Sequence, residues 1–120
     1  MGALTGIELS PGVAGYGLHI VYGKIVVHWK VKIGHYCKIQ SDVTIGVQGR
    51  YDIEGAPHIG DRVFIGSGAR IIGNIHIADG VVIAANVVVV QSIDEPDTTW
   101  GGIPARKISN NGSYHFLYRN

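Results

Sequence analysis

Thiols are almost missing from this chain. Its single cysteine, Cys37, excludes an internal disulfide framework and the small stapled modules of oxidising compartments. Long apolar runs are missing too, since no stretch approaches the roughly 18 apolar residues of a membrane-spanning helix. The opening MGALTGIELS has no basic stretch followed by an apolar core, so no secretory signal is read there. The expected setting is therefore the cytoplasm, with no membrane partner. Neither sign of charge dominates: ten Lys and Arg against nine Asp and Glu leave a formal charge of +1. Without a run of like charge to grip a phosphate backbone, nucleic acid is not an expected partner either. A length of 120 residues leaves room for one domain. The whole span 1–120 reads as one, with an extruded loop at 46–58 and a C-terminal turn and tail at 95–120.

Glycine, by contrast, is abundant: 18 of 120 residues, about twice the average share of roughly 7%. Aliphatic residues are plentiful as well, which excludes a disordered low-complexity chain and points to something repetitive and rich in turns. A search for internal repeats supplies the pattern. Ile59, Ile65, Ile71, Ile77, Ile83 and Val89 recur at every sixth position, and Val21, Val27, Ile33, Ile39 and Ile45 do the same in another phase. The residue after each is often small or polar, as in Gly34, Gln40, Gly46, Gly60, Gly66, Ala78 and Ala84. The fifth position of the hexad is small or branched, as in Val31, Cys37, Val43, Val63, Ala69, Ile75, Val81 and Val87. A spacing of six fits neither an amphipathic helix nor a simple two-residue alternation. It fits a solenoid in which each hexad is one flat face and three faces close a coil of about 18 residues. Inward aliphatic side chains then stack from coil to coil, and small residues sit where the chain turns. Eleven hexads make between three and four coils.

The register breaks twice. Ile45 and Ile59 are fourteen residues apart, which reads as two hexads plus two, and the aperiodic VQGRYDIEGAP between them is expected to leave the prism as a loop that carries function. Upstream, Ile7 and Val13 keep hexad spacing, then the phase slips by two residues between Val13 and Val21. The tail NNGSYHFLYRN is aromatic and aperiodic, compatible with a cap, an oligomer contact or a frayed end.

The stretch from Ile59 to Ser109, ending in GGIPARKIS, resembles the C-terminal half of the hexapeptide-repeat acyltransferases, particularly serine acetyltransferases and sugar or capsule O-acetyltransferases. GGIPARKI is its most specific part, and GIELSPG, GYGLHI and SDVTIG resemble the upstream part of the same domain. The resemblance implies an all-β, left-handed parallel β-helix. It also implies a homotrimer that uses acetyl-CoA as acyl donor, requires no metal, and acts on a small hydroxylated acceptor. A sugar is favoured over serine, because the helical N-terminal domain of typical serine acetyltransferases is absent from this sequence. In that family the pantetheine arm lies between neighbouring prisms against corner amides, which map here to Ser67 in IGSGAR and Ala85 in IAANVV. Arg106 and Lys107 of PARKI map near the nucleotide phosphates, which suits cations.

Acyl transfer to a hydroxyl needs a base, ordinarily a histidine. The family's catalytic histidine follows GLxI, but this chain reads GLHIVYGKIVV, and counting back from the hexads puts Val21 there. A second family histidine precedes the loop-ending proline, where GAPHIG places Ala56. His19 is the nearest replacement, aimed toward the subunit groove if the slip bulges the chain. His58, at the base of the loop and facing outward, is the other catalytic candidate. His28, His35 and His76 are expected at corners or interfaces, and Cys37 as inward packing. Two other readings stand beside the transferase: a degenerate trimeric member without turnover, and a γ-carbonic-anhydrase-like enzyme with zinc on His28, His35 and His58, whose spacing does not match that family's.

Overall fold

A computed structural model describes residues 7–8, 12–20, 23–47 and 55–118. Three parallel faces wind about one apolar axis in a left-handed β-helix. The first face stacks β1 (Ile7–Glu8), β3 (Ile25–Val27), β6 (Val43–Gly46), β9 (Arg70–Ile72) and β12 (Val88–Val89). The second holds β4 (Lys32–Ile33), β7 (His58–Ile59) and β10 (His76–Ile77). The third stacks β2 (His19–Ile20), β5 (Lys38–Ile39), β8 (Phe64–Ile65), β11 (Val82–Ile83) and β13 (Thr99–Gly101), and β14 (Arg106–Ser109) closes it as an antiparallel edge. A short helix, α1 (Tyr114–Tyr118), follows. The first face has five levels because β1, upstream of the two hexad runs, adds one below β3, while past Val89 the chain winds on through Ile93 on the second face and Trp100 on the third.

The hexad residues form the core as expected. Ile39, Ile65 and Ile83 align on the third face, and Val27, Ile45, Ile71 and Val89 on the first, all buried. The fifth-position set is buried too, except that Ile75 is only partly so. Val21 lies outside the described residues.

Both breaks fall elsewhere than expected. Ile33 pairs with Ile59 and Ile45 with Ile71, so the step from Ile45 to Ile59 is one face plus eight residues, not two hexads plus two. The loop therefore leaves at one corner and returns directly onto the second face, while its middle, 48–54, lies outside the described residues. Upstream, Ala14 bridges Ile33 and Ile20 pairs with Ile39, so the first coil keeps normal spacing from its second face to its third. The extra residue comes after Ile20, because Val27 pairs with Ile45 in the next register. No slip separates Val13 from His19, and the latter sits on an ordinary strand rather than on a bulge.

Side chains reinforce one corner. The Tyr16 N–H donates to His35 Nδ1 at 2.8 Å, the His35 N–H to Asp61 Oδ1 at 2.8 Å, and the Asp61 N–H to Asp79 Oδ1 at 2.7 Å. Each side chain thus caps the amide one coil below, an amide the strand ladder leaves unpaired. The ladder lies over the glycines that precede it: a Cβ at Gly34 would sit 2.3 Å from Asp61 Oδ1 and 2.6 Å from the Gly60 carbonyl oxygen. Since backbone cannot step aside, Gly34→Ala should destabilise the chain by ~1–3 kcal/mol, readable as a shifted urea midpoint at unchanged slope. An unshifted midpoint would show that the corner is looser than this packing implies.

As far as Tyr118 the tail is ordered against the side of the prism and does not cap its end. It folds back over the third face, where Phe116 packs on Phe64 with ring centroids 4.6 Å apart, Lys38 Nζ donates to the Phe116 carbonyl at 3.3 Å, and Ser113 Oγ donates to the Arg62 carbonyl. That explains why Phe64, in an outward row, is buried.

Candidate active site

Strand alternation decides which way each candidate points. On β2 the inward residue is Ile20, in register with Ile39, so His19 faces out and is exposed, level with Lys38 on the next strand. Its outward aim needs no bulge. Lys38 and His19 line one recess of about 200 Å³ with Gly17, Tyr36, Cys37 and Leu117. The Cys37 side chain itself belongs to the core: burial pushes its thiol up to about 11, and Sγ donates to the Gly60 carbonyl at 3.2 Å. Such a thiol packs and does not attack.

His58 stands on another face. It pairs with Lys32 on one side and with His76 on the other, so the three form an outward row on the second face. His76 continues the row through a hydrogen bond from Nε2 to Asp94. The structure does not bring His58 and His19 together within one chain. Sequence reasoning set His76 aside, yet its separation from His58 is one full coil, and that count was a usable signal. Ala56, where the family's second histidine maps, is buried. Of the zinc alternative, His28 stacks beside Trp29 at one corner and accepts the Lys30 N–H, while His35 serves the ladder at another. Neither stands with His58 on its strand row, and among the described residues no cluster of three or more His, Cys, Asp or Glu is placed to hold a metal ion.

Ser67 and Ala85 are brought together. They occupy the same corner on successive coils, tied by the Asn86 N–H donating to the Ser67 carbonyl at 2.8 Å. Ala85 is exposed. Ser67 is half-buried, and its N–H and hydroxyl both donate to Gln40 Oε1, at 3.3 and 3.4 Å. Small side chains along this column, from Ser41 through Ser67 and Ala85 to Gly102, keep the backbone open to a thin ligand. One level above Ala84, Gly101 pairs with Arg106, which is exposed. Lys107 points elsewhere: its Nζ binds Glu95 Oε2 at 3.1 Å. A carboxylate already neutralises that cation, so Arg106 is the better placed of the two for a phosphate. Arg106 also borders a cavity of about 470 Å³ at the C-terminal end of the prism, beside Trp100, Pro104 and Val90. The Trp100 indole N–H donates to Thr98 Oγ1 at 2.8 Å, and the ring continues the inward column above Ile83.

His19 and Arg106 lie on the two edge strands of the third face, five strand spacings apart, about 24 Å at the usual interstrand distance. A ligand touching both must be long.

The chain is similar to known proteins. Residues 56–91 match the family model described as Bacterial transferase hexapeptide (six repeats). A serine acetyltransferase from Synechococcus elongatus is 37% identical over 111 residues, which is 91% of this chain and 45% of that protein. One from Staphylococcus epidermidis is 40% identical over 110 residues, 90% of this chain and 51% of the relative. The solved serine acetyltransferase of Brucella abortus in complex with coenzyme A superposes with a TM-score of 0.79 at 32% identity, covering 87% of this chain and 42% of that one. That of Neisseria gonorrhoeae gives the same TM-score at 30% identity, over 96% and 45%. The chain spans about half the length of the curated relatives it matches.

Proposed function

Because the chain belongs to the hexapeptide-repeat acyltransferase family, we propose that it is an O-acetyltransferase that moves the acetyl group of acetyl-CoA onto a hydroxyl of a small acceptor. The observation that carries this reading is the corner column of Ser67 and Ala85 with Arg106, whose guanidinium has no acidic partner among the described residues, above it, on a fold shared with a coenzyme A-bound relative. Acetyl-CoA supplies an activated thioester carbon. His19 takes the proton of the acceptor hydroxyl while its oxygen forms the ester bond, and the departing sulfur receives a proton in turn. Arg106 holds phosphate and Ala85 leaves a channel for the arm. Relatives named for serine support serine as acceptor, and a cytoplasmic setting goes with an intracellular donor. Thiol release from acetyl-CoA, measured with L-serine and with sugars, tests the proposal: no release with any hydroxylated acceptor would overturn it. That outcome would favour a family member without turnover, for which buried Ala56 in place of a histidine is the supporting observation.

The assembly in this reading is a homotrimer. On the outside of the prism Val26 and Val88 are half-buried and Val90 is exposed, apolar surface that neighbouring chains would cover, whereas Val82 is already buried within the chain. Sedimentation should find three chains of 12.9 kDa together; a stable monomer at micromolar concentration would remove the intersubunit groove. Replacing Ala85 with Trp should fill the channel and weaken acetyl-CoA at least about tenfold by calorimetry, with the fold intact because the corner side chain is exposed. Unchanged affinity would put the channel elsewhere.

A further inference from the structure

Two backbone amides of the corner column differ in what they touch. The Ala85 N–H has no partner among the described residues. The Ser67 N–H is covered: it donates to Gln40 Oε1 at 3.3 Å, and the Ser67 hydroxyl donates to the same oxygen at 3.4 Å. A backbone N–H can only donate, so the atom that faces it is the carboxamide oxygen and not the nitrogen.

Position in the repeat explains the difference. Gln40, Gly66 and Ala84 each follow an inward aliphatic residue of the third face, on successive coils. Their N–H groups donate to the carbonyls of Ile65, Ile83 and Trp100, one coil up. At Gly66 a Cβ would lie 2.8 Å from the Ala85 nitrogen, so no side chain can stand there to cover that amide. Ala84 ends after one carbon. Gln40 alone of the three is long enough to reach the corner above it. Its two hydrogen bonds are at the long end of the range, and the residue is half-buried rather than locked in the core. A contact of that kind exchanges readily for another carbonyl oxygen.

We infer that Gln40 is a gate on the acyl-donor arm. The inference rests on the acetyl-transfer reading and adds a means of control to its channel. The pantetheine arm is built around amide groups, and an amide carbonyl of the arm offers Ser67 the same acceptor that the Gln40 carboxamide offers from within the chain. The two compete for one N–H. With Gln40 in place the arm has the bare Ala85 amide, and it settles on Ser67 only by displacing the carboxamide. The strand order of the third face puts this competition at the reactive end of the arm. It runs from β14 through β13, β11 and β8 to β5 and β2, so Ser67, after β8, and Gln40, after β5, lie between Ala85 and the level of His19. Gln40 is four strand spacings from Arg106, about 19 Å, and does not bear on the nucleotide end.

Calorimetry on the full chain tests the gate with two ligands, acetyl-CoA and adenosine 3′,5′-bisphosphate, which carries nucleotide phosphates but no arm. Gln40→Ala removes the competitor and should tighten acetyl-CoA about fivefold, since the covered fraction no longer reduces the apparent affinity. Gln40→Glu supplies a charged and therefore stronger acceptor, and should weaken acetyl-CoA about fivefold. Neither variant should change the bisphosphate, because 19 Å is about two screening lengths at 0.1 M salt. Both keep the backbone bond from residue 40 to the Ile65 carbonyl, so the coil stays paired. Acetyl-CoA binding that is unchanged in Gln40→Ala overturns the gate and leaves the donor channel standing. Weaker binding in Gln40→Ala overturns it too, and makes the carboxamide a donor contact. Equal changes for both ligands place the effect on the nucleotide and also overturn the gate. A wild type that binds no acetyl-CoA beside a Gln40→Ala variant that does supports a gate held shut; no binding by either overturns the gate together with the donor reading.

Discussion

Truncating Ile65 to alanine should destabilise the chain by about 2–5 kcal/mol, the cost of a large core side chain whose cavity does not collapse. Ile65 is fully buried, and it lies in the middle of the third-face column, between Ile39 below and Ile83 above. Its level is clamped from both sides. The Gln40 N–H donates to the Ile65 carbonyl at 3.0 Å, and the Gly66 N–H donates to the Ile83 carbonyl at 2.7 Å. Coils fixed at the spacing of backbone hydrogen bonds cannot close over a missing side chain, so the loss should fall in the upper part of the range. Ile65→Val, which removes one methylene, should cost only ~0.5–1.5 kcal/mol. Urea titration at fixed protein concentration gives both numbers, because an oligomer's midpoint moves with concentration. An alanine variant less than about 1 kcal/mol below wild type would mean that the coils do slide together.

The same column explains how much of the fold could be read in advance. A solenoid repeats its inward residue at a fixed interval, so Ile59, Ile65, Ile71, Ile77 and Ile83 announce both the prism and its interior by counting alone. Counting fails where periodicity stops, since an aperiodic segment does not say how many faces it replaces. Ile45 to Ile59 looked like two hexads plus two and is one face plus eight, and only pairing with Ile33 and Ile71 settles it. The upstream slip was misplaced for the same reason. Ala14 and Ile20 hold normal spacing against Ile33 and Ile39 of the next coil, and the extra residue falls after them. The tail was not legible because α1 has no repeat to follow, although an aromatic Phe64 in an outward row was a hint that something covers it. Ser67 and Ala85 were legible as one corner through their separation of a single coil, whereas the engagement of Lys107 by Glu95 depends on side-chain reach that no spacing encodes. The corner ladder of His35, Asp61 and Asp79 escaped notice because its members are spaced by the loop-containing coil on one side.

Replacing His19 with alanine should lower kcat by at least about 100-fold, with far less change in the affinity for acetyl-CoA. The expectation no longer needs a bulge. Alternation on β2 sends Ile20 inward to pair with Ile39, and His19 therefore outward, into the recess it shares with Lys38 and Tyr36. A base there sits at one edge of the third face, while Arg106 sits at the other, so a long donor can hold its phosphates at the second and present its thioester at the first. The separation of roles sets the signature: losing the base should lower turnover, and losing the Arg106 cation should weaken the donor instead. His58→Ala is the control, because His58 stands on the second face between Lys32 and His76. A transfer assay with the acceptor that supports thiol release reads both variants. If the His19 variant turns over like wild type while His58→Ala loses activity, the base belongs to the second face, and the reacting centre must then be assembled from two faces of different subunits.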